Sequence, residues 1–189
     1  MGCDIHMYRE KRVNGKWETA DRWESIYDII DVAFEERFHD RNYELFAVLA
    51  GVRRREEPAF GFTPRGLPVT CCSEVAEAAN GWGDDGHSHS YLYLHELEDL
   101  LTLLSSATQP ISGMKDSDEL EKLQSSIESG SPDWGLLYPY CQGTNDSRYV
   151  EFCVNVPALF LLGDGLARII ASIKEIGGDQ QRVVFWFDN

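Results

Sequence analysis

Four side chains that could do acid–base or metal chemistry lie within six residues near the middle of the chain: Asp84, Asp85, His87 and His89. Only glycine and serine accompany them in residues 83–90, so this segment contributes no apolar surface to a core. Carboxylates and imidazoles together are what a divalent-metal or proton-transfer site requires. An H-x-H pair on an extended segment can place both rings on one side of the chain. We therefore predict His87, His89 and Asp85 as catalytic residues, the alternative being an exposed polar loop with incidental histidines.

A second cluster joins the two ends of the chain. Residues 3–10 alternate with period two, which predicts a strand that carries Asp4 and His6 on one face, roughly 6 to 7 Å apart. Asp188 continues an apolar face of the last predicted strand, where an acid needs a partner. Antiparallel pairing of the two strands would bring Asp188 to Asp4 and His6. We predict these three residues as ligands of a divalent metal of unknown identity. For Asp4 and His6 the alternative is the polar outer face of a hairpin.

Arginines at positions 53–55 and 65 stand out on an acidic chain. A guanidinium group suits phosphate binding, so Arg53 and Arg65 are predicted ligand-binding residues. Residues 53–55 also follow a predicted helix C-terminus, where cations are favoured without any ligand, and two glutamates come next. The sequence favours this second interpretation of the triplet.

Composition bounds the class of protein. The chain has 189 residues, 43% hydrophobic and 12% aromatic, which is enough for the core of one domain. Its 32 acids and 17 bases give a net charge of −15, so phosphate backbones repel it and general nucleic-acid binding is not expected. No apolar run approaches the roughly 18 to 20 residues of a membrane span, and we expect no secretory leader, because a basic region followed by an apolar stretch is missing from the N-terminal residues. We expect no membrane partner and a cytoplasmic location.

The pattern of elements predicts an α+β fold. Asn14-Gly15 between two alternating segments is a strong hairpin signal, so residues 3–22 are predicted to form a β-hairpin. A short helix is predicted within 24–38, and Asp40 is the predicted N-cap of the next helix. The further predicted elements are helices at 41–50, 74–79, 94–104, 117–129 and 166–176, and strands at 148–156 and 181–189. We predict a single α+β domain over 1–189, in which helices pack a central sheet containing the N-terminal hairpin and the C-terminal strand. Residues 105–135 are predicted to be a variable helical excursion.

Four segments carry a resemblance to known proteins: Met1-Gly-Cys-Asp-Ile-His6, Arg41-Asn-Tyr-Glu-Leu-Phe46, Gly86-His-Ser-His-Ser90 and Phe185-Trp-Phe-Asp-Asn189. Together they resemble a family of small bacteriophage proteins marked by an N-terminal Met-Gly-Cys-Asp-Ile-His motif. The resemblance implies a phage-type protein that acts in the cytoplasm of a bacterial host. Small phage proteins with pocket-like sites often counter host defence by binding or destroying nucleotide signals, and we extend this expectation by analogy.

Three functions remain open from the sequence. The leading prediction is a metal- or histidine-dependent hydrolase of a small phosphate ester or nucleotide signal. The second is a non-catalytic protein that sequesters such a nucleotide-like ligand, as a homo-oligomer with pockets between subunits. The third is an acidic interaction protein that engages a basic host partner.

Overall fold

The computed structural model describes residues 2–26, 29–53, 60–130, 133–137 and 148–188. Within them the strands are β1 (Ile5–Val13), β2 (Lys16–Thr19), β3 (Trp23–Ile26), β4 (Ile29–Val32), β5 (His87–Tyr93), β6 (Thr108–Asp116), β7 (Tyr149–Pro157) and β8 (Gln180–Phe187). The helices are α1 (Tyr43–Ala50), α2 (Ser73–Trp82), α3 (Leu94–Ser106), α4 (Ser117–Glu128), α5 (Trp134–Leu137), α6 (Ala158–Leu162) and α7 (Gly165–Lys174). Among the described residues, none of these helices combines the length and apolar character needed to cross a bilayer.

The central sheet joins the two ends of the chain. Its strand order is β2–β1–β8–β5, and every neighbouring pair is antiparallel. β8 lies between β1 and β5, with Ile5 opposite Phe187 and His6 opposite Trp186. The predicted α+β fold, with the N-terminal hairpin and the C-terminal strand in one sheet, is confirmed.

Helices cover both faces of this sheet because successive side chains of β8 point to opposite sides and nearly all of them are apolar. On one face Val184 and Trp186 form a buried cluster with Val75 of α2. On the other face the ring of Phe187 meets Phe46 of α1, with 5.0 Å between ring centroids. Burial of each such side chain contributes roughly 1.5–3 kcal/mol. The packing of α2 on this face therefore determines which side chains can contact Trp186.

The chain divides into two compact units, Met1–Thr102 with Leu162–Asn189, and Leu103–Leu161. The first contains the central sheet. The second contains the antiparallel pair β6–β7. Within the predicted helical excursion at 105–135, residues 108–116 are therefore a strand, whereas α4 at Ser117–Glu128 is helical as predicted. The partner of β6 lies far along the chain, so local periodicity could not reveal the pairing. A single folding domain over 1–189 stays a prediction.

The segment before α1 also differs from the sequence prediction. Residues 24–38 contain the paired strands β3 and β4 and a 3₁₀ turn over Phe34–Glu36, in place of a short helix. Helix α1 begins after Asn42, whose side chain accepts hydrogen bonds from the backbone N–H groups of two residues in the first turn. Asn42, and not the predicted Asp40, is therefore the N-cap. Residues 37–41 are left outside helices and strands.

The hairpin turn gives a first prediction. Asn14 and Gly15 have φ of 50° and 81°, as a type I′ turn requires. A Cβ on Gly15 would meet no atom within 4 Å, so the cost of Gly15→Val is backbone strain alone. We expect a loss of about 1–2 kcal/mol in the free energy of unfolding, measured by urea denaturation. Gly15→Asn should cost clearly less, because asparagine tolerates positive φ. Equal stability of the valine variant and the wild type would refute the turn's role.

Candidate functional site

A pocket of about 610 Å³ lies along residues 4–8, in the first unit. Its volume falls within the range of about 300–1,000 Å³ that is typical of small-molecule sites. The lining combines buried apolar side chains with polar groups of both charges. It is formed by Asp4, Ile5, His6, Met7, Tyr8, Asp31, Val32, Arg37, Phe38, His39, Asp40, Arg41 and Trp82.

His6 is held in the pocket wall by Asp188. The distance from His6 Nε2 to Asp188 Oδ2 is 3.2 Å, and about a fifth of each side chain is exposed. The other carboxylate oxygen of Asp188 accepts the backbone N–H of Asp4 at 2.8 Å. An ionised carboxylate only accepts hydrogen bonds, so Nε2 of His6 is the donor and Nδ1 is left as the basic nitrogen. Nδ1 has no hydrogen-bond partner in the part of the chain that the structure describes.

Strand register explains this meeting of the two chain ends. His6 lies directly opposite Trp186 in the β1–β8 ladder, and Asp188 is two residues further on. Side chains two apart on a strand point to the same face, so Asp188 projects on the side of the sheet that carries His6. The structure confirms the prediction that Asp188 lies close to Asp4 and His6. The function of these residues stays a prediction.

Arginines at the pocket are paired with carboxylates. Arg41 donates through Nε and Nη2 to the two carboxylate oxygens of Asp4, each at 2.6 Å, and Arg37 Nη2 lies 3.1 Å from Asp31. The hydrogen bonds from Arg41 lower the pKa of Asp4. A guanidinium group has five N–H donors, so Arg41 retains donors beyond the two that Asp4 takes. Arg41 can therefore donate hydrogen bonds to an anionic ligand in the pocket while it keeps both of its hydrogen bonds to Asp4.

Aromatic rings surround His6. The indole of Trp82 lies 4.0 Å from the imidazole centroid, tilted by 39°, and Trp186 lies at 6.1 Å in a stacked arrangement. Tyr8 stacks on Trp186 at 4.8 Å. Trp186 and Tyr8 are buried, whereas Trp82 is half-buried at the pocket. The imidazole thus lies against apolar rings. In this environment its hydrogen bond to Asp188 is stronger than it would be in water.

A bulge separates the two histidines of β5. His87 pairs with Phe187 and Ser90 with Phe185, so the intervening residues include an irregularity, and Ser88 has a φ of 53°. The His87 ring stacks on Phe187 at 6.1 Å, whereas the His89 ring stacks on Trp186 at 5.5 Å.

Neighbouring residues of β8 point to opposite faces, so the expectation that His87 and His89 act from one side is corrected. The extra residue of the bulge reverses the alternation on which that expectation relied. His89 stacks on the same Trp186 as His6 does, and His87 does not. Catalytic roles for both stay predictions.

The other predicted site residues lie elsewhere. Asp85 is exposed in a 3₁₀ turn, Gly83–Asp85. Arg65 makes a paired contact with Glu96, at 2.7 and 3.0 Å, and Arg53 donates to the backbone oxygen of Gly2 at 3.4 Å. None of these three predicted residues is among those that line the pocket. Ligand binding by Arg53 and Arg65 stays a prediction.

The predicted metal ligands are engaged with protein partners. Asp4 faces the guanidinium of Arg41, and Asp188 accepts hydrogen bonds from the Asp4 backbone and His6. Within the described ranges, no group of three or more histidine, cysteine, aspartate or glutamate side chains is arranged to hold a metal ion. A divalent metal at Asp4, His6 and Asp188 therefore stays a prediction.

His89 gives a prediction for pH. Burial lowers the pKa of His89 from its ordinary value of 6.5, and the charge of His87 lowers it further. The folded protein then binds this proton less readily than the unfolded chain does. Stability from this group is therefore complete above pH 6.5 and falls as the pH decreases below it. We expect ring-proton NMR titration to give a pKa below 6.5 for His89, and a smaller shift in His87→Gln. A pKa at or above 6.5 would contradict the burial of this ring.

Several pocket residues were not predicted. They come from one short connection, residues 37–41, together with Tyr8, Asp31 and Trp82. The sequence contained a usable signal, because arginine, phenylalanine, histidine and aspartate are concentrated in Arg37-Phe-His-Asp-Arg41 between two elements. Ionisable residues on a connection held by a rigid scaffold are often functional. Trp82 gave no such signal, since a tryptophan at a helix end is usually a packing residue.

Comparison of the chain with protein-family models, with curated proteins and with solved structures finds no match. The resemblance to small phage proteins accordingly stays a prediction, and the site rests on its geometry.

Proposed function

We propose that this protein hydrolyses a small phosphate ester in the pocket along residues 4–8, with His6 as general base and Asp188 as the residue that orients it. The single observation that carries this proposal is the hydrogen bond between His6 and Asp188 in the wall of a ligand-sized pocket. A carboxylate that holds one imidazole nitrogen leaves the other in position to accept a proton.

The proposed hydrolysis needs no metal, because His6 and solvent account for every proton that is transferred. Nδ1 of His6 removes a proton from a water molecule, and the oxygen of that water attacks the phosphorus atom. A P–O bond to the water oxygen forms while the P–O bond to the ester alcohol breaks. The alcohol leaves with a proton from solvent, and His6 returns its own proton to solvent. Asp188 stabilises the imidazolium that exists between these events.

Arg41 is the proposed phosphate contact. It lies at the pocket next to Asp4, is 61% exposed and retains unused N–H donors. A guanidinium group binds phosphate oxygens in a fixed geometry and reduces the repulsion between phosphate and an acidic protein. The Arg37–Asp31 and Arg41–Asp4 pairs also keep both arginines in place before a ligand arrives.

The proposed biological substrate is a nucleotide signal of a bacterial host's defence, cleaved in the host cytoplasm by a phage product. This part of the proposal is supported by the sequence resemblance and by analogy alone. A basic protein partner for the acidic surface stays an alternative prediction.

A second candidate is a protein that sequesters the same ligand without chemistry, as a homo-oligomer. The observation that favours it is the limited exposure of His6. Only 21% of the His6 side chain is exposed, and the ring centroids of Trp82 and His6 are 4.0 Å apart. Tight binding requires a closed apolar surface, whereas hydrolysis also requires water at Nδ1.

The test is turnover of defined esters. Purified protein is incubated with bis(4-nitrophenyl) phosphate and with cyclic mono- and dinucleotides, and the products are identified by mass spectrometry. We expect cleavage of at least one nucleotide, and a rate lower by about 10²–10⁴ in His6→Asn. His95→Asn is the matched control, since His95 is exposed and lies outside the pocket. Recovery of bound, intact ligand after heat denaturation would support the sequestering protein. Equal rates for His6→Asn and the wild type would refute the proposal.

A further inference from the structure

We infer that Trp82 is a specificity residue that stacks on a heteroaromatic ring of the substrate, so that the pocket selects nucleotides over simple sugar phosphates. This inference rests on the proposed function, because it takes the same pocket as the substrate site. It identifies the part of the ligand other than the phosphate ester, which the proposed hydrolysis does not define.

Trp82 lies next to the imidazole of His6, the proposed general base. Its indole centroid is 4.0 Å from that of His6, and the residue lines the pocket while only half-buried. Among the aromatic residues of the lining, Tyr8 is 4% exposed and is already stacked on Trp23 and Trp186. A flat ring bound against Trp82 would place the rest of the ligand within a few ångströms of the His6 imidazole.

Neighbouring residues restrict the movement of the Trp82 side chain. Trp82 is the last residue of α2, and the chain turns at Gly83, which has a positive φ of 50°. Gly86 then returns so closely that an added Cβ would lie 3.0 Å from the Trp82 Cβ and 3.4 Å from the His89 ring. The backbone at Gly86 thus lies close to the Trp82 Cβ, and the His6 ring contacts the indole on one side. A held aromatic surface binds a planar ring at little entropic cost.

The chemistry of the pocket lining also favours a nucleotide over a bare phosphate. The pocket lining contains carboxylates and guanidinium groups in similar number, so its charge does not select for phosphate alone. A nucleobase presents both donors and acceptors at its edge and a π-face for stacking. This combination fits a lining in which Asp31, Asp40 and Arg37 surround apolar side chains better than a bare phosphate does.

The experiment measures binding separately from turnover. Asp188→Asn protein, which the proposed mechanism makes largely unable to cleave and which keeps the His6 ring beside Trp82, is titrated by calorimetry with adenosine 5′-monophosphate and with ribose 5-phosphate. We expect the nucleotide to bind about tenfold or more tightly than the sugar phosphate. Adding Trp82→Leu should remove that difference and leave ribose 5-phosphate affinity unchanged. Adding Trp82→Phe should retain most of it.

Two controls distinguish loss of stacking at Trp82 from a general loss of binding or of folding. Tyr149→Leu removes an aromatic side chain that is not among those lining the pocket, and it should change neither affinity. Circular dichroism establishes that the Trp82 variants are folded. Equal binding of both ligands to the parent protein, or equal loss of both in Trp82→Leu, would overturn the inference. If the nucleotide preference depends on Trp82 and the wild type cleaves no ester, the inference stands and the proposed hydrolysis fails.

Discussion

Replacing Arg182 with methionine should lower the free energy of unfolding by about 3–5 kcal/mol, because it leaves the carboxylate of Glu10 buried and unpaired. Both side chains are buried, at 1% and 0% exposure, and Arg182 Nε donates to Glu10 Oε2 at 2.6 Å. The guanidinium also lies 3.8 Å from the ring centroid of Trp17 and donates to the backbone oxygen of Thr70. Urea denaturation measures the loss.

A double variant separates the charge effect from packing. Glu10→Leu with Arg182→Met leaves no buried charge, so we expect the pair to cost clearly less than the sum of the two single changes. Arg168→Met is the matched surface control, because Arg168 is 46% exposed and its ion pairs should contribute less than about 1 kcal/mol. Additive losses in the double variant would show that the two groups do not stabilise each other.

Asp188→Asn should abolish most turnover, with a fall in kcat of about 10²–10⁴ and little change in KM. The asparagine oxygen can still accept the backbone N–H of Asp4, while its NH₂ group now faces Nε2 of His6. Nε2 then becomes the acceptor, and the proton moves to Nδ1, so the nitrogen that should accept a proton is already protonated.

Two measurements distinguish this tautomer effect from unfolding. The thermal midpoint of Asp188→Asn should stay close to that of the wild type, and ¹⁵N NMR should report the changed His6 tautomer. Asp179→Asn is the control, because Asp179 is exposed and precedes β8. Wild-type kcat in Asp188→Asn would exclude an orienting role for this carboxylate.

Periodicity and turn chemistry made most of the central sheet predictable. The Asn14-Gly15 turn, the alternation after Cys3 and the apolar last strand indicated β1, β2 and β8, and antiparallel pairing then implied the meeting of His6 with Asp188. These are local patterns, and the antiparallel pairing of the first and last strands was the one further assumption that the site required. They were sufficient for this part of the site because both partners lie on strands of regular geometry.

The remainder of the site depended on contacts that no local pattern encodes. The bulge at Ser88 separates His87 from His89, although their spacing in the sequence suggests a common face. Trp82 reaches His6 only because α2 packs on the face of Trp186. The antiparallel pairing of β6 with β7 likewise joins segments far apart in the chain. Tertiary packing decided each case, and local propensity could not.

The most direct test of the account is rescue of a His6→Ala variant by free imidazole. The variant should bind the nucleotide that the wild type cleaves but turn it over at a rate lower by about 10²–10⁴. Added imidazole should then restore cleavage in a saturable way, because it enters the space next to Asp188 and supplies the missing base. Rescue should be much weaker when Asp188→Asn is also present. Wild-type turnover by His6→Ala without imidazole would contradict the account.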